Sequence, residues 1–244
     1  VPDTKAESAA ETDSIRFLCD PELEAVLPRP DRAVRFLPDW FRNLPREMGM
    51  KDEHGLPGLT AKACLPMADA MGLGWVIPLP TDVRVMVDFT GENIQFGWAE
   101  DAPFQPIAQH HPGQIGSPGA PFDGRMPLKW INPWRVVAPE GYSVLFTPPL
   151  NHAHLPFTCL SGLVDCDHFS PTVNFPFFWT GGPGDHTLPR GTPMAQVIAL
   201  PRGALPPGFE ARGSNEAELA DQVAATERKY GEESAYAREW RQKK

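Results

Sequence analysis

Hydrophobic and polar positions alternate with a period of two along Val83-Arg84-Val85-Met86-Val87-Asp88-Phe89, the pattern of a strand with one buried face. A Gly91-Glu92-Asn93 turn and the run to Ala99 follow it, which predicts a β-hairpin. A different pattern marks Met194 to Leu200. There Met194, Val197, Ile198 and Leu200 follow a Gly191 turn as a near-continuous apolar run, the signature of a strand covered on both faces. Further short strands are predicted at Ile15 to Leu18, Arg32 to Leu37, Trp75 to Ile77 and Leu163-Val164. Helical spacing is confined to three places. Asp39 stands as an N-cap before Trp40, Phe41 and Leu44, which would dock on the sheet, with a stop near Pro45. Met67, Ala70 and Met71 recur helically after Pro66 and leave through Gly72 and Gly74. From Ser214 or Asn215 a capped helix carries Glu216 and Glu218 in its first turn, a thin stripe of Leu219, Val223 and Tyr230, and a break at Gly231.

Composition supports the strand reading. Proline supplies 29 of 244 residues and glycine 21, against an ordinary proline share of about 5%. Prolines spread among apolar runs break helices and end strands, so many short strands joined by tight turns are expected, in an all-β sandwich or barrel. The expected organisation is a flexible tail over 1–14, a single β domain over 15–212 and a surface helix over 213–244. A net charge of -9 sets the long-range field against polyanions, so nucleic acid is not expected as a partner. No apolar run approaches the roughly 20 residues that cross a bilayer, and the acidic start VPDTKAESAAETDS has no leader character. A cytoplasmic protein without a membrane partner is the expectation. The four cysteines, Cys19, Cys64, Cys159 and Cys166, show no CxxC pair, which points to buried free thiols rather than structural zinc.

Three segments then occur in a telling order: PEGYSVLF from Pro139, SGLVDCDHF from Ser161, and RGTPMAQVIALP from Arg190. With GLGWVIPLPTDVRV upstream, this layout resembles the dUTP pyrophosphatase and dCTP deaminase superfamily over about residues 72–201. The resemblance implies a dUTPase-like β-clip or jelly-roll-type antiparallel barrel with a few short peripheral helices, assembled as a homo-oligomer. It also places Asp165 where that superfamily has its water-activating or sugar-binding aspartate, and Gln196 at its strand glutamine. The phosphate-gripping parts depart from the pattern. Phe146-Thr147-Pro148-Pro149 stands where the superfamily has an arginine-serine segment, and consecutive prolines cannot donate backbone hydrogen bonds. His168-Phe169-Ser170-Pro171 replaces the aromatic-arginine-glycine run. A shared architecture with a changed site is the implication, since a fold does not carry its chemistry with it. The whole chain, including Lys129 to Asn151, also resembles a family found in bacterial genomes and tailed phages, a likeness that brings no activity with it.

Candidate chemistry centres on Asp165 and Asp167. Two apart at the end of a strand, they share one face while Cys166 points to the other, and two carboxylates that close call for a cation or a proton. With His168 they form the candidate catalytic set, although a turn-capping role for Asp165 is nearly as well motivated. Lys129 and Arg135, bracketing Asn132-Pro133 among Trp130 and Trp134, suit a small anionic or aromatic ligand, and Asn174 and Gln196 complete the candidate binding set. The alternative there is an ordinary strand whose aromatics pack inward. Six of seven histidines follow residue 109. His110 and His111, in a long Pro/Gly-rich segment, are the preferred ligands for a divalent metal such as iron, manganese or zinc, ahead of His152 and His154. The functional expectation is an enzyme on a small-molecule ligand, metal-dependent oxidation or hydrolysis included. The alternatives are a non-catalytic β module for assembly or ligand binding, and residual deoxynucleotide binding.

Overall fold

The computed structural model describes residues 13–51, 55–91, 93–114, 127–204, 206–232 and 234–242. Positions 1–12 of the expected tail lie outside them. The protein is mainly β, with antiparallel sheets and a few short helices. It separates into two compact units, one formed by 1–37 with 71–204 and the other by 38–70 with 205–244.

The first unit holds the three larger sheets. Its five-stranded sheet runs in the order Gly162–Val164, Tyr142–Thr147, Pro193–Pro201, Trp75–Pro78 and Asp31–Arg32. Pro193–Pro201 is the middle strand, and Met194 to Ile198 are buried without interruption, as expected of a strand covered on both faces. A four-stranded sheet orders Phe157–Cys159, Phe175–Trp179, Leu128–Trp130 and Ile107–Gln109. The predicted hairpin forms as Val83–Val87 against Ile94–Trp98, and Gly184–Leu188 adds a third strand. Val83, Val85 and Val87 point inward while Arg84 and Met86 are exposed, so the period of two is real. One strand expectation is corrected. Only Asp31–Arg32 pairs with Trp75 and Val76, and Ala33–Phe36 turns into a 3-10 helix.

A single core joins the three larger sheets. Ile77, Val144, Phe146 and Val197 come from the first, Trp130, Phe157, Phe175 and Phe177 from the second, Val83, Val85 and Leu188 from the third. At about 1.5–3 kcal/mol per fully buried large apolar side chain, this cluster is the main source of the unit's stability. Trp130 stacks on Phe177 with ring centroids 4.3 Å apart and planes 9° from parallel, and Phe157 meets both edge-on. Gly74 is required where the chain enters the sheet. Its φ is +69°, and a Cβ there would lie 2.1 Å from the Val197 carbonyl oxygen.

In the second unit a helix spans Asp39–Asn43, with Pro38 rather than Asp39 in the capping position, and Phe41 is buried while Trp40 is 39% exposed. An antiparallel pair, Glu47–Lys51 with Pro57–Leu59, follows. The Lys62 ammonium donates to the Phe41 and Arg42 carbonyls at 3.1 and 3.0 Å, holding the end of the short helix. The C-terminal helix spans Glu216–Gly231 and opens on a capping box, Asn215 accepting from the Glu218 N–H and Glu218 from the Asn215 N–H.

Candidate functional site

The Tyr142–Thr147 strand enters through a turn in which the Tyr142 N–H reaches the Pro139 carbonyl and Gly141 adopts φ +81°. That conformation aims the Gly141 N–H at the Asp167 carboxylate, 2.9 Å away. On one side lies Gly162–Val164, with Val144 opposite Val164. Just past this pair, the Ser143 hydroxyl donates to Asp165 Oδ1 at 2.6 Å. The chain then folds over tightly, the Asp165 carbonyl accepting from the His168 and Phe169 N–H groups at 3.0 and 2.8 Å. On the other side lies Pro193–Pro201, with Tyr142 opposite Pro201, so the next residue, Arg202, arrives over the Gly141 turn. Its N–H donates to the Gly141 carbonyl at 2.9 Å and its guanidinium to the Tyr142 carbonyl at 3.2 Å.

Arg202 supplies the cation that two neighbouring carboxylates call for. It grips Asp167 through both terminal nitrogens, Nη1 at 2.9 Å from Oδ1 and Nη2 on Oδ2, in a fork-to-fork pair. Its Nη1 also lies 3.6 Å from Asp165 Oδ1. Asp167 has 2% of its side chain exposed, whereas Asp165 has 62% and His168 76%. The guanidinium hydrogen bonds, then the Gly141 N–H, hold the Asp167 carboxyl far below the usual carboxylate range against the opposing effect of desolvation. His168 Nε2 stands 3.6 Å from Asp167 Oδ2. The structure thus brings Asp165, Asp167 and His168 together and adds Ser143, Gly141 and Arg202, which sequence reasoning passed over. The signal for Arg202 lay in the strand register, because it follows Pro201 directly.

The other candidates lie elsewhere. Cys166, between the two carboxylates in sequence, is buried, its thiol pushed up to about 11 by burial and then by Asp167 and Asp165. Cys159 is also buried, donates to the Met194 carbonyl at 3.2 Å, and is raised further by desolvation. Gln196 is 1% exposed and spans the scaffold, its Oε1 accepting from the Leu150 N–H at 2.9 Å and its Nε2 donating to the Leu73 carbonyl at 2.6 Å. Lys129 sits on the four-stranded sheet opposite Pro176 and Ala108. Trp130 and Trp134 turn into the core, so the rings pack inward rather than around Lys129 and Arg135. Arg135 donates to the Ser170 hydroxyl at 3.2 Å. Asn174 accepts from the Asn132 N–H at 3.0 Å, and buried Asn132 ties Val173 to Trp134.

His110 and His111 flank a turn in which Gln114 serves both, its Oε1 meeting His110 Nδ1 and accepting from the His111 N–H at 3.2 Å. His111 Nδ1 accepts from the Gly113 N–H at 3.1 Å, so that nitrogen is engaged locally. Positions 115–126, the rest of that segment, lie outside the described residues. Among the described residues no three histidine, cysteine, aspartate or glutamate side chains gather as a metal site requires. No described helix is long and apolar enough to cross a membrane.

Among solved structures, the chain is similar to the native dUTPase of EIAV, at 12% identity and a TM-score of 0.31, over 59% of this chain and 83% of that one. No protein-family model matches the chain, and no curated protein does.

Proposed function

We propose that the protein is an enzyme on a small polar molecule, which it takes at the Asp165 end of the five-stranded sheet, with Asp165 accepting a proton from it. One observation carries this reading: of two neighbouring carboxylates, Arg202 forks onto Asp167 and reaches Asp165 only at 3.6 Å, so that Asp165 keeps 62% of its side chain exposed. Ser143 fixes the orientation of Asp165 through Oδ1, and among the described residues Oδ2 makes no hydrogen bond. Exposed His168 is the second proton-transfer group within reach of the cluster. Two carboxylates against one guanidinium leave the cluster net negative. It suits a hydroxyl, an amine or a cationic group, and disfavours a polyphosphate. Asp167 and Arg202 form the frame that holds the Gly141 turn, and act on the ligand through position rather than contact. A ligand screen by thermal shift and saturation-transfer NMR, using polyols, amines and nucleosides on wild type and Asp165→Asn, tests this. The expected result is a ligand class whose binding Asp165→Asn abolishes while the unfolding temperature of the free protein barely changes. Hits retained by Asp165→Asn would remove Asp165 from the site.

A second reading, a module for self-assembly, rests on a different observation. Gly162–Val164 is an edge strand, paired among the described residues with Tyr142–Thr147 alone, and Leu163 on it is 63% exposed, with Phe169 further along the chain 42% exposed. An exposed apolar edge of this kind pairs with a second copy in a homo-oligomer. Sedimentation velocity of wild type and Leu163→Asp distinguishes the cases. An oligomer that dissociates in the variant supports assembly through this edge, and a monomeric wild type ends it.

A further inference from the structure

A recess in the first unit lies away from the carboxylates. It is a cleft of about 430 Å³ beside the loop that follows the Tyr142–Thr147 strand, a volume within the ordinary range for small-molecule sites. Pro148, Pro149, Leu155 and Phe157 form apolar walls, and exposed Thr158 and Thr180 carry hydroxyls at its rim. The lining holds no aspartate, glutamate, lysine or arginine. Its one ring with hydrogen-bonding nitrogens is His152, which is 8% exposed and whose Nδ1 is fully buried with no hydrogen-bond partner among the described residues.

That nitrogen has no surface to offer the cleft, and the indole nitrogens of Trp130, Trp134 and Trp179 are likewise buried without a partner among the described residues, so a ligand in the cleft meets His152 at the rest of its ring. The backbone around the ring is held in place. The His152 N–H bonds the Pro149 carbonyl at 3.2 Å, the Leu155 N–H bonds the His152 carbonyl at 3.0 Å, and Asn151 turns the chain at φ 61°. Buried Gln196 anchors the same loop to the central strand through the Leu150 N–H at 2.9 Å. The ring itself leans on His154, with centroids 5.3 Å apart. The cleft is therefore preformed, and Gln196 is a positioning residue for it.

We propose that this cleft binds an uncharged small molecule with a compact apolar body, a ring or a branched chain, and one hydroxyl or carboxamide that hydrogen-bonds the imidazole of His152. The apolar walls take the body, and the absence of charged lining residues excludes an ion on desolvation grounds. Burial, with His154 adding to it, keeps His152 neutral, so one ring nitrogen donates and the other accepts. A hydroxyl or carboxamide can complement either tautomer. The site is separate from Asp165, which does not line it.

The test uses the full chain labelled with ¹⁵N-histidine and long-range ¹H–¹⁵N spectra of the imidazoles. Cyclohexanol, benzyl alcohol and benzamide are the neutral probes, and benzoate and benzylamine the charged ones. The expected result is a saturable millimolar shift of both His152 nitrogens by at least one neutral probe. Charged analogues should bind about tenfold or more weakly, a difference of about 1.4 kcal/mol. His152→Phe should abolish probe binding, Thr180→Val should weaken it, and Asp165→Asn should leave it unchanged. If His152→Phe does not fold, the wild-type spectra and Thr180→Val decide. Neutral probes that leave His152 unmoved, or charged probes that bind equally well, overturn the proposal.

Discussion

His152 and Asp167 are both buried titratable side chains, and their surroundings treat them oppositely. Asp167 has a guanidinium and a backbone N–H, so its charge is favoured and its stabilising effect is present at neutral pH and is lost only as pH falls below the usual carboxylate range. His152 has apolar neighbours and a second histidine, which lower its value from 6.5 to about 4. The sign follows from the two end states. Above about pH 6.5 the ring is neutral whether the chain is folded or not, and between there and about 4 only the unfolded chain takes up the proton. Stability should therefore fall across that window by an amount on the order of 3 kcal/mol attributable to this ring. Urea midpoints at pH 7 and pH 5 for wild type and His152→Phe check it. The variant should lose less stability on acidification than the wild type, and equal losses would assign the pH dependence to other groups.

Elements differ in how plainly their sequence announces them. The Val83–Val87 hairpin, the buried Pro193–Pro201 strand and the Asn215 cap were legible because each is dictated by local pattern: alternation, a continuous apolar run, or a side chain reaching three residues on. Their spacing predicts Asp165 and Asp167 on one face of an extended chain, but the strand ends at Val164 and the chain turns over 166–168, so a turn rather than strand alternation brings both near Arg202. What was not legible depends on register between distant segments. Arg202 meets Asp167 across 35 positions of sequence, and only the pairing of Tyr142 with Pro201 brings it there. His152 read as a loop residue beside His154, since burial of a loop depends on what packs over it. His110 and His111 read as metal ligands, whereas Gln114 and the Gly113 N–H engage the Nδ1 of each within one turn, a local contact their spacing alone does not announce. The Glu47–Lys51 and Pro57–Leu59 pair, exposed along most of both strands, carries too little apolar pattern to be seen. At this scale Gly74→Ala is the decisive substitution. It places a methyl group against the Val197 carbonyl at an angle alanine resists, and it should lower the unfolding temperature sharply or prevent soluble expression. Gly97→Ala, where nothing lies within 4 Å of the added Cβ, is the control and should be tolerated in a thermal melt.

Across the molecule, the stabilising core and the proposed sites lie in different parts of the first unit. The aromatic cluster of Trp130, Phe157 and Phe177 joins the four-stranded sheet to the common core. Truncating its centre with Phe177→Ala should cost about 3–5 kcal/mol, measured by chemical denaturation. The functional groups sit at strand ends and loops on this frame, as binding residues on β scaffolds generally do. Two separate recognition sites are proposed, an anionic one at Asp165 and an uncharged one at His152, and each has its own probe chemistry. The net charge of -9 is consistent with ligands that are not polyanions.

The central claim is that Arg202 neutralises Asp167 and so leaves Asp165 as the working carboxylate. Carboxyl-detected ¹³C NMR on aspartate-labelled protein, titrated down from neutral pH in wild type and Arg202→Gln, tests it most directly. The account predicts an Asp167 signal that stays ionised through the ordinary aspartate value of about 3.9 in wild type and moves up toward it in the variant. An Asp167 that titrates in the ordinary range with Arg202 present would contradict it.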